Sequence, residues 1–376
     1  PNTKSVLVFT FIGYVKQEVA VGNQTKLNIQ MKDDTQSLDE VVVVAYGTAR
    51  KGDLTGALTT MRPDANEAAK AVSIDNLLEG KVAGLVVSTA SSNPGAASSI
   101  TIRGASSLRG DNQPLYVIDN IPQASTGEFS SSGISGDFQI AQDPLSSLNP
   151  ADIEDITILK DASSTAIYGS KGANGVVLIT TKHGKAGKIN ISAKAETFYN
   201  MLTQVPDFVD GYTYASMANE AKITRNLEPL YKADELEIFR LGLDPDLYPN
   251  VNWIDELLRK GSWSTRATLS MNGGGNTARY YVSGSYLDQQ GMYKVDKALK
   301  DYNTNANFRR WNYRMNVDID ITKSTLLKVG VSGSLQKAND SGVGSDAIWT
   351  ALMGYNAIMV PKLYSNGYVP AYGNDN

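Results

Sequence analysis

The residue types that most often do chemistry are scarce in this chain. It has no cysteine and a single histidine, His183. Thiolate nucleophiles, disulfides, thiolate metal sites and histidine clusters are excluded, so no metal and no cofactor is expected. His183 stands between Lys182 and Gly184, a turn setting that implies no chemical role. Asp152 and Glu154 form an acidic pair of the kind a glycosidase uses. On a strand or loop edge such a pair reads as surface charge. Gly169, Gly172 and Gly175 have the wrong first spacing for a dinucleotide fingerprint, and no Gly-Lys-Ser/Thr follows Gly104 to Gly110 as a phosphate loop requires. These glycines read as turn and close-packing residues. Trp253, Trp263, Trp311 and Trp349 could stack on sugar rings, but an interfacial girdle or core packing suits them better. Nothing here makes an enzyme.

The elements that would position these residues are mostly strands. The 376 residues allow two or three domains, or one large β structure with attachments. Lys plus Arg is 35 and Asp plus Glu 39, a net charge of −4 that disfavours nucleic acid as a partner. Apolar content is 41%, with Tyr 19 against Phe 8, the balance of a β-rich protein with much polar surface. Lys4 and the apolar run from Val6 to Val15 imitate a signal peptide, but Gly13, Tyr14 and Lys16 interrupt it and a strand fits better. Residues 1–36 read as the remnant of a small β-sandwich whose start is missing, with Leu27, Ile29 and Met31 on one face of a strand. Residues 37–49 carry Asp39-Glu40 and then the extended run Val41-Val42-Val43-Val44.

Residues 50–187 read as a mixed domain. A short helix is expected at 74–78 with Ser73 as N-cap, and a helical turn from Ser163 to Tyr168. Strands are expected near 82–88, 100–103, 115–119, 156–159 and 176–181, with a long Ser/Gly-rich loop from Gln123 to Gln142.

From 188 to 376 the rhythm changes to long alternation, in five strands, with helices near 210–222 and 232–241 inside a long excursion at 200–260. The alternating faces carry Arg314, Asp318, Asp320 and Lys328. Paired across a turn at Lys323-Ser324-Thr325, Asp320 would face Lys328. Several strands reach the roughly 9–11 residues that cross a bilayer, which favours a membrane barrel over a soluble sandwich. Five strands cannot close such a barrel, whose smallest bacterial forms have about eight, so the chain is expected to be a fragment cut at both ends.

Three stretches together resemble the SusC-like (RagA/SusC) family of TonB-dependent outer-membrane transporters. Leu38-Asp39-Glu40-Val41-Val42-Val43-Val44-Ala45-Tyr46-Gly47 is similar to that family's TonB box. Ile100-Thr101-Ile102-Arg103-Gly104-Ala105-Ser106-Ser107-Leu108 with Pro114 to Pro122, and Asn149 to Ile156 with Leu159 to Val176, resemble its plug domain. Departures are Ala45 and Asn120, each where glycine is usual, and His183-Gly184-Lys185-Ala186-Gly187 in place of an Arg-Gly pattern.

The resemblance implies a mainly β fold. An α+β plug domain would be followed by the first antiparallel strands of an incomplete transmembrane barrel, and preceded by the end of a carboxypeptidase-regulatory-like sandwich. It implies import of a bulky nutrient, an oligosaccharide or a peptide, across the bacterial outer membrane. The partners would be TonB with its inner-membrane energising complex, a SusD-like surface lipoprotein and outer-membrane lipid. The N-terminal segment and TonB box would be periplasmic. Asp39, Glu40, Val41, Val42, Val43 and Val44 would bind TonB as an extended, unpaired segment added to a partner's sheet edge. The alternative for the valines is a buried strand of the N-terminal sandwich. Arg103, Gly104, Asp119, Gly169, Gly172 and Gly175 would be structural plug residues. Arg103, Arg109, Asp119, Asp152, Glu154 and Asp155 are candidates for plug–barrel ion pairs, with solvated surface charge as the alternative. Arg109, Asp111 and Asn112, with the loop 123–142, are the weak candidates for substrate contact. Two other readings stand beside import: a TonB-dependent signal-transducing receptor, and a soluble β-rich glycan-binding or adhesion module.

Overall fold

The computed structural model describes residues 6–9, 17–20, 29, 41–44, 47–50, 57–64, 67–68, 71, 73–89, 93–96, 98–105, 112–123, 145, 148–295 and 302–370. Near the N-terminus, β1 (Val6–Phe9) and β2 (Gln17–Ala20) pair antiparallel. The strand expected over 26–32 lies outside the described residues apart from Ile29.

The valine run is β3 (Val41–Val44), and it is not unpaired as expected. It forms a hairpin with β4 (Gly47–Arg50), in register Val41 to Arg50 and Val44 to Gly47. The physical reason is local: an extended β-branched run presents a row of N–H and C=O groups, and the adjacent chain satisfies one edge of it.

The middle domain is a mixed sheet in the order β5-β10-β11-β8-β9, built from β5 (Leu58–Met61), β8 (Leu115–Ile118), β9 (Ile121–Pro122), β10 (Ile153–Leu159) and β11 (Val176–Thr181). A separate hairpin, β6 (Leu85–Thr89) with β7 (Ser98–Ile102), lies against it. Helix α1 (Ile74–Leu78) is capped by Ser73, whose Oγ accepts from the Asn76 N–H at 3.4 Å. Its Ile74, Leu77 and Leu78 pack with Ile100, Ile156 and Ile158 in the main core. Leu115, Val117, Leu159, Val176 and Leu178 build a second cluster, which is why β8 and β11 read as unbroken apolar runs. Helix α2 (Ala162–Thr165) is capped by Asp161, which accepts from the Ser164 N–H at 2.9 Å and from the Ala57 N–H at 2.6 Å.

The last part is a five-stranded antiparallel meander, β12 (Gly187–Asn200), β13 (Ser262–Gly274), β14 (Ala278–Gln290), β15 (Asn307–Thr322) and β16 (Thr325–Asn339). Long connections gather at one end of this wall and short turns at the other. The β12–β13 excursion holds α3 (Gly211–Ile223), α4 (Ala233–Leu241) and α5 (Trp253–Leu257), and α6 (Ser345–Gly354) follows β16. At this loop end Ile254, Leu258, Tyr293, Ala306 and Leu352 form a small core.

The wall has two faces. On β15 every second residue, Phe308, Arg310, Asn312, Arg314, Asn316 and Asp318, is buried. The alternate residues from Trp311 through Tyr313, Met315, Val317 and Ile319 to Ile321 are apolar and face outward. The β15–β16 register differs from expectation. The turn has two residues, Lys323 and Ser324, and a register shift follows, so Asp318 stands opposite Lys328 and Asp320 opposite Leu326. The slip is two residues, which leaves every side chain on its expected face.

Candidate functional site

The buried polar face of the wall is covered by the middle domain. Contacts run the whole height of the strands. Near the loop end, the Phe308 ring lies so close to Gly95 that a Cβ there would approach it to 2.4 Å. Below it, Asp75 of α1 is bonded to Ser98 and attracted by Arg310 of β15. Burial outweighs both and pushes its carboxyl up to about 6.

Arg266 of β13 is buried between the layers. Its Nε donates to Glu196 of β12 at 2.7 Å, and its terminal nitrogens donate to the main-chain carbonyls of Ala71 and Ala68. Asn149 Nδ2 donates to Thr268 Oγ1 at 3.4 Å, and Tyr281 OH donates to Asp152 Oδ1 at 2.8 Å. Burial raises the Asp152 carboxyl, opposed by the Tyr281 hydrogen bond and by the charges of Arg314 and Lys182. Burial likewise lowers Lys182, whose Nζ donates to the Ala151 carbonyl at 2.7 Å.

The densest knot is at the end of β11. Thr181 Oγ1 donates to Asp119 Oδ2 at 2.7 Å and accepts from Arg314 at 3.2 Å and from Asn316 at 2.8 Å. One hydroxyl thus uses its single proton and both lone pairs. Arg314 also reaches Asp119 Oδ2 at 3.0 Å, and the Thr181 N–H donates to Asp119 Oδ1 at 2.8 Å. Asp119 and Asn120 both have left-handed backbone, φ 48 and 67, in the tight β8–β9 turn, a conformation asparagine tolerates in place of glycine. Toward the turn end, His183 Nδ1 lies 3.1 Å from both Asp318 oxygens. His183 therefore has a partner across the interface, although its sequence setting showed none. A cavity of about 380 Å³ opens beside these contacts, lined by charged groups including Glu154, Lys182, Lys194 and Glu196.

The expected ion pairs resolve individually. Asp119 makes one, with Arg314. Asp152 makes a hydrogen bond to a tyrosine instead. Glu154 is exposed at the cavity, and Asp155 is bonded to Thr180 within its own domain. Arg103 is exposed, with φ 60 and its N–H on the Gly84 carbonyl at 2.7 Å, and makes no ion pair among the described residues. Gly104 adjoins it at φ 88, and Gly169, at φ 61 and ψ −146, breaks the helical turn after α2. Gly172 abuts Thr165, and a Cβ on Gly175, at φ 92, would come within 2.7 Å of Ile102 Cδ1. Asp39, Glu40, Arg109 and Asp111 lie outside the described residues, as does most of the loop 123–142. Asn112 sits at the entry to β8, half-buried. The sequence reading missed Arg266, Tyr281, Asn316 and Thr181 as interface residues. For Arg266 and Tyr281 the signal was a large polar side chain on the otherwise small and polar face of an alternating strand; Asn316 and Thr181 carried none.

The sequence comparisons agree with this architecture. Residues 50–176 match the TonB-dependent receptor plug domain. The chain is 36% identical over 314 residues to the TonB-dependent receptor SusC of Bacteroides thetaiotaomicron, covering 83% of this chain and 27% of that protein. It is 35% identical over 332 residues to the TonB-dependent receptor P26 of Formosa agariphila, covering 88% of this chain and 30% of that one. The chain belongs to the SusC-like TonB-dependent receptors. It spans under a third of the length of these relatives. Among solved structures, the RagAB peptide importer in its open-open state aligns at a TM-score of 0.63 and 26% identity, over 80% of this chain and 33% of that one. The middle domain is thus a plug, and the meander is the start of a barrel wall.

Proposed function

We propose that the chain is the plug-and-first-strands portion of a TonB-driven importer of a bulky nutrient, an oligosaccharide or a peptide, working with a SusD-like lipoprotein. One observation carries this reading. The wall turns a polar face to the plug and an apolar face outward, as a wet lumen inside lipid requires. The outward apolar run on β15 extends from Ile321 to Trp311. Those ten steps span about 34 Å along the strand, or about 26 Å of height at a tilt of ~40°, against an apolar band of about 25 Å in such barrels. The short turns then face the periplasm and the long loops the exterior.

In this scheme residues 1–36 are the end of an accessory sandwich and 37–49 the TonB box with its linker. Residues 50–187 are the plug and 188–376 the first barrel strands with their long loop. Asp39 to Val44 offer the handle: β3 has one edge on β4, and its other edge is the one TonB would extend. The work comes from the inner-membrane proton gradient through TonB, so the protein needs no catalytic residue, cofactor or nucleic acid. Arg109, Asp111, Asn112 and the loop 123–142 lie in the stretches that would meet cargo.

The test is growth of cells carrying the full-length protein on panels of glycans and peptides. Val42→Pro removes a ladder N–H and should abolish growth on the cargo while the plug keeps its protease resistance. Equal growth of variant and parent on every panel would sink the proposal.

A further inference from the structure

The outward face of the wall carries one charged row, and its position is informative. Tyr286, Trp311 and Leu335 stand opposite one another on β14, β15 and β16, with the first two rings 5.2 Å apart. They close the apolar band at its loop end, where aromatic rings favour the membrane–water boundary. The next outward row, about 7 Å further along the strands, is Asp288, Arg309 and Lys337.

Arg309 and Lys337 are paired directly across the β15–β16 ladder. Like charges in that position repel. Among the described residues only one carboxylate lies in the row, and it serves Arg309 poorly: Asp288 Oδ1 is 3.5 Å from Arg309 Nε, and neither atom has a hydrogen-bond partner among them. Lys337 is exposed. The row is therefore left with an excess positive charge at the level where lipid headgroups begin.

We infer that Arg309 and Lys337 form a binding site for the phosphate of an outer-leaflet lipid, whose acyl chains lie along Trp311 and Leu335. A phosphate between the two cations would cancel their repulsion. The bidentate guanidinium and the ammonium are the two side chains that best hold one. This inference rests on the barrel reading of the wall.

The test uses the full-length protein in detergent, parent and Arg309→Gln/Lys337→Gln, with native mass spectrometry of bound lipid. The probes are a diphosphorylated lipid A, its dephosphorylated form and inorganic phosphate. The parent should retain the phosphorylated lipid, and the double variant should retain roughly tenfold less. Inorganic phosphate alone should not stay bound. Equal retention by parent and variant, or equal binding of the dephosphorylated lipid, overturns the inference. Heat-modifiable migration on gels separates this from failure of the barrel reading, because an unfolded or non-barrel parent shows no shift. If the double variant does not fold, Lys337→Gln alone, at an exposed position, gives the same decision.

Discussion

At Thr181 a single hydroxyl joins three elements: the plug turn through Asp119, and the wall through Arg314 and Asn316. Removing Arg314 would leave the half-buried Asp119 carboxylate with fewer donors and no cation. Arg314→Met should cost about 2 kcal/mol of local stability, less than a fully buried pair because Asp119 is partly solvated. Hydrogen exchange at the Thr181 amide reads this directly, since that N–H is held by Asp119; unchanged protection would refute it. Asp75 makes a pH prediction. Its folded value, about 6, lies above the ordinary 3.8, so the folded state binds the extra proton between these values. The contribution of this group to stability is then largest below pH 4, falls as pH rises through 6, and is level beyond. Asp75→Asn should remove that slope, a change visible in melting temperatures of the detergent-solubilised protein at pH 4 and pH 7.

The elements were legible where their period was long. All five wall strands follow from alternation, α3 and α4 of the excursion fall where the sequence places helices, and α1 begins at its expected Ser73 cap. Helices α5 and α6 were not anticipated. They are short and amphipathic, and their apolar residues make sense only against Tyr293 and Ala306 from a distant connection. The plug–wall contacts were illegible for a related reason. Periodicity shows that Arg266 points inward, but its acceptors at Ala68 and Ala71 are main-chain atoms with no sequence signature. The Asp320 pairing differs because the turn is one residue shorter than the sequence suggests and a bulge between Asp320 and Thr322 adds a second step; Asp320 instead bonds Arg279 of β14 at 2.7 Å. At element scale, Gly175 connects the helical turn to β11 in left-handed backbone against Ile102. Gly175→Ala should destabilise the plug by about 1–3 kcal/mol. A trypsin titration of the folded protein should then show plug cleavage at lower protease, and an unchanged cleavage profile would contradict the packing argument.

For the whole molecule, the two faces of the wall assign each tryptophan a different solvent. Trp263 and Trp311 point outward from the strands, whereas Trp253 and Trp349 pack in the loop-end cluster. In bilayers of brominated lipid, a variant retaining only Trp311 should be strongly quenched and one retaining only Trp253 should not. Equal quenching of the two would contradict the assignment of faces.

One feature of the plug–wall seam bears on how such receptors diversify. Arg266 and Asn316 both grip main-chain oxygens of the plug, at Ala68, Ala71 and Lys182. Any amino acid presents the same oxygen, so these attachments are indifferent to mutation on the plug side. Only a few couples, such as Asp119 with Arg314, Asp152 with Tyr281 and His183 with Asp318, require matched side chains. A stopper transplanted from a cousin should seat in this cylinder once those couples are reconciled, which would let recombination shuffle the two parts as cassettes.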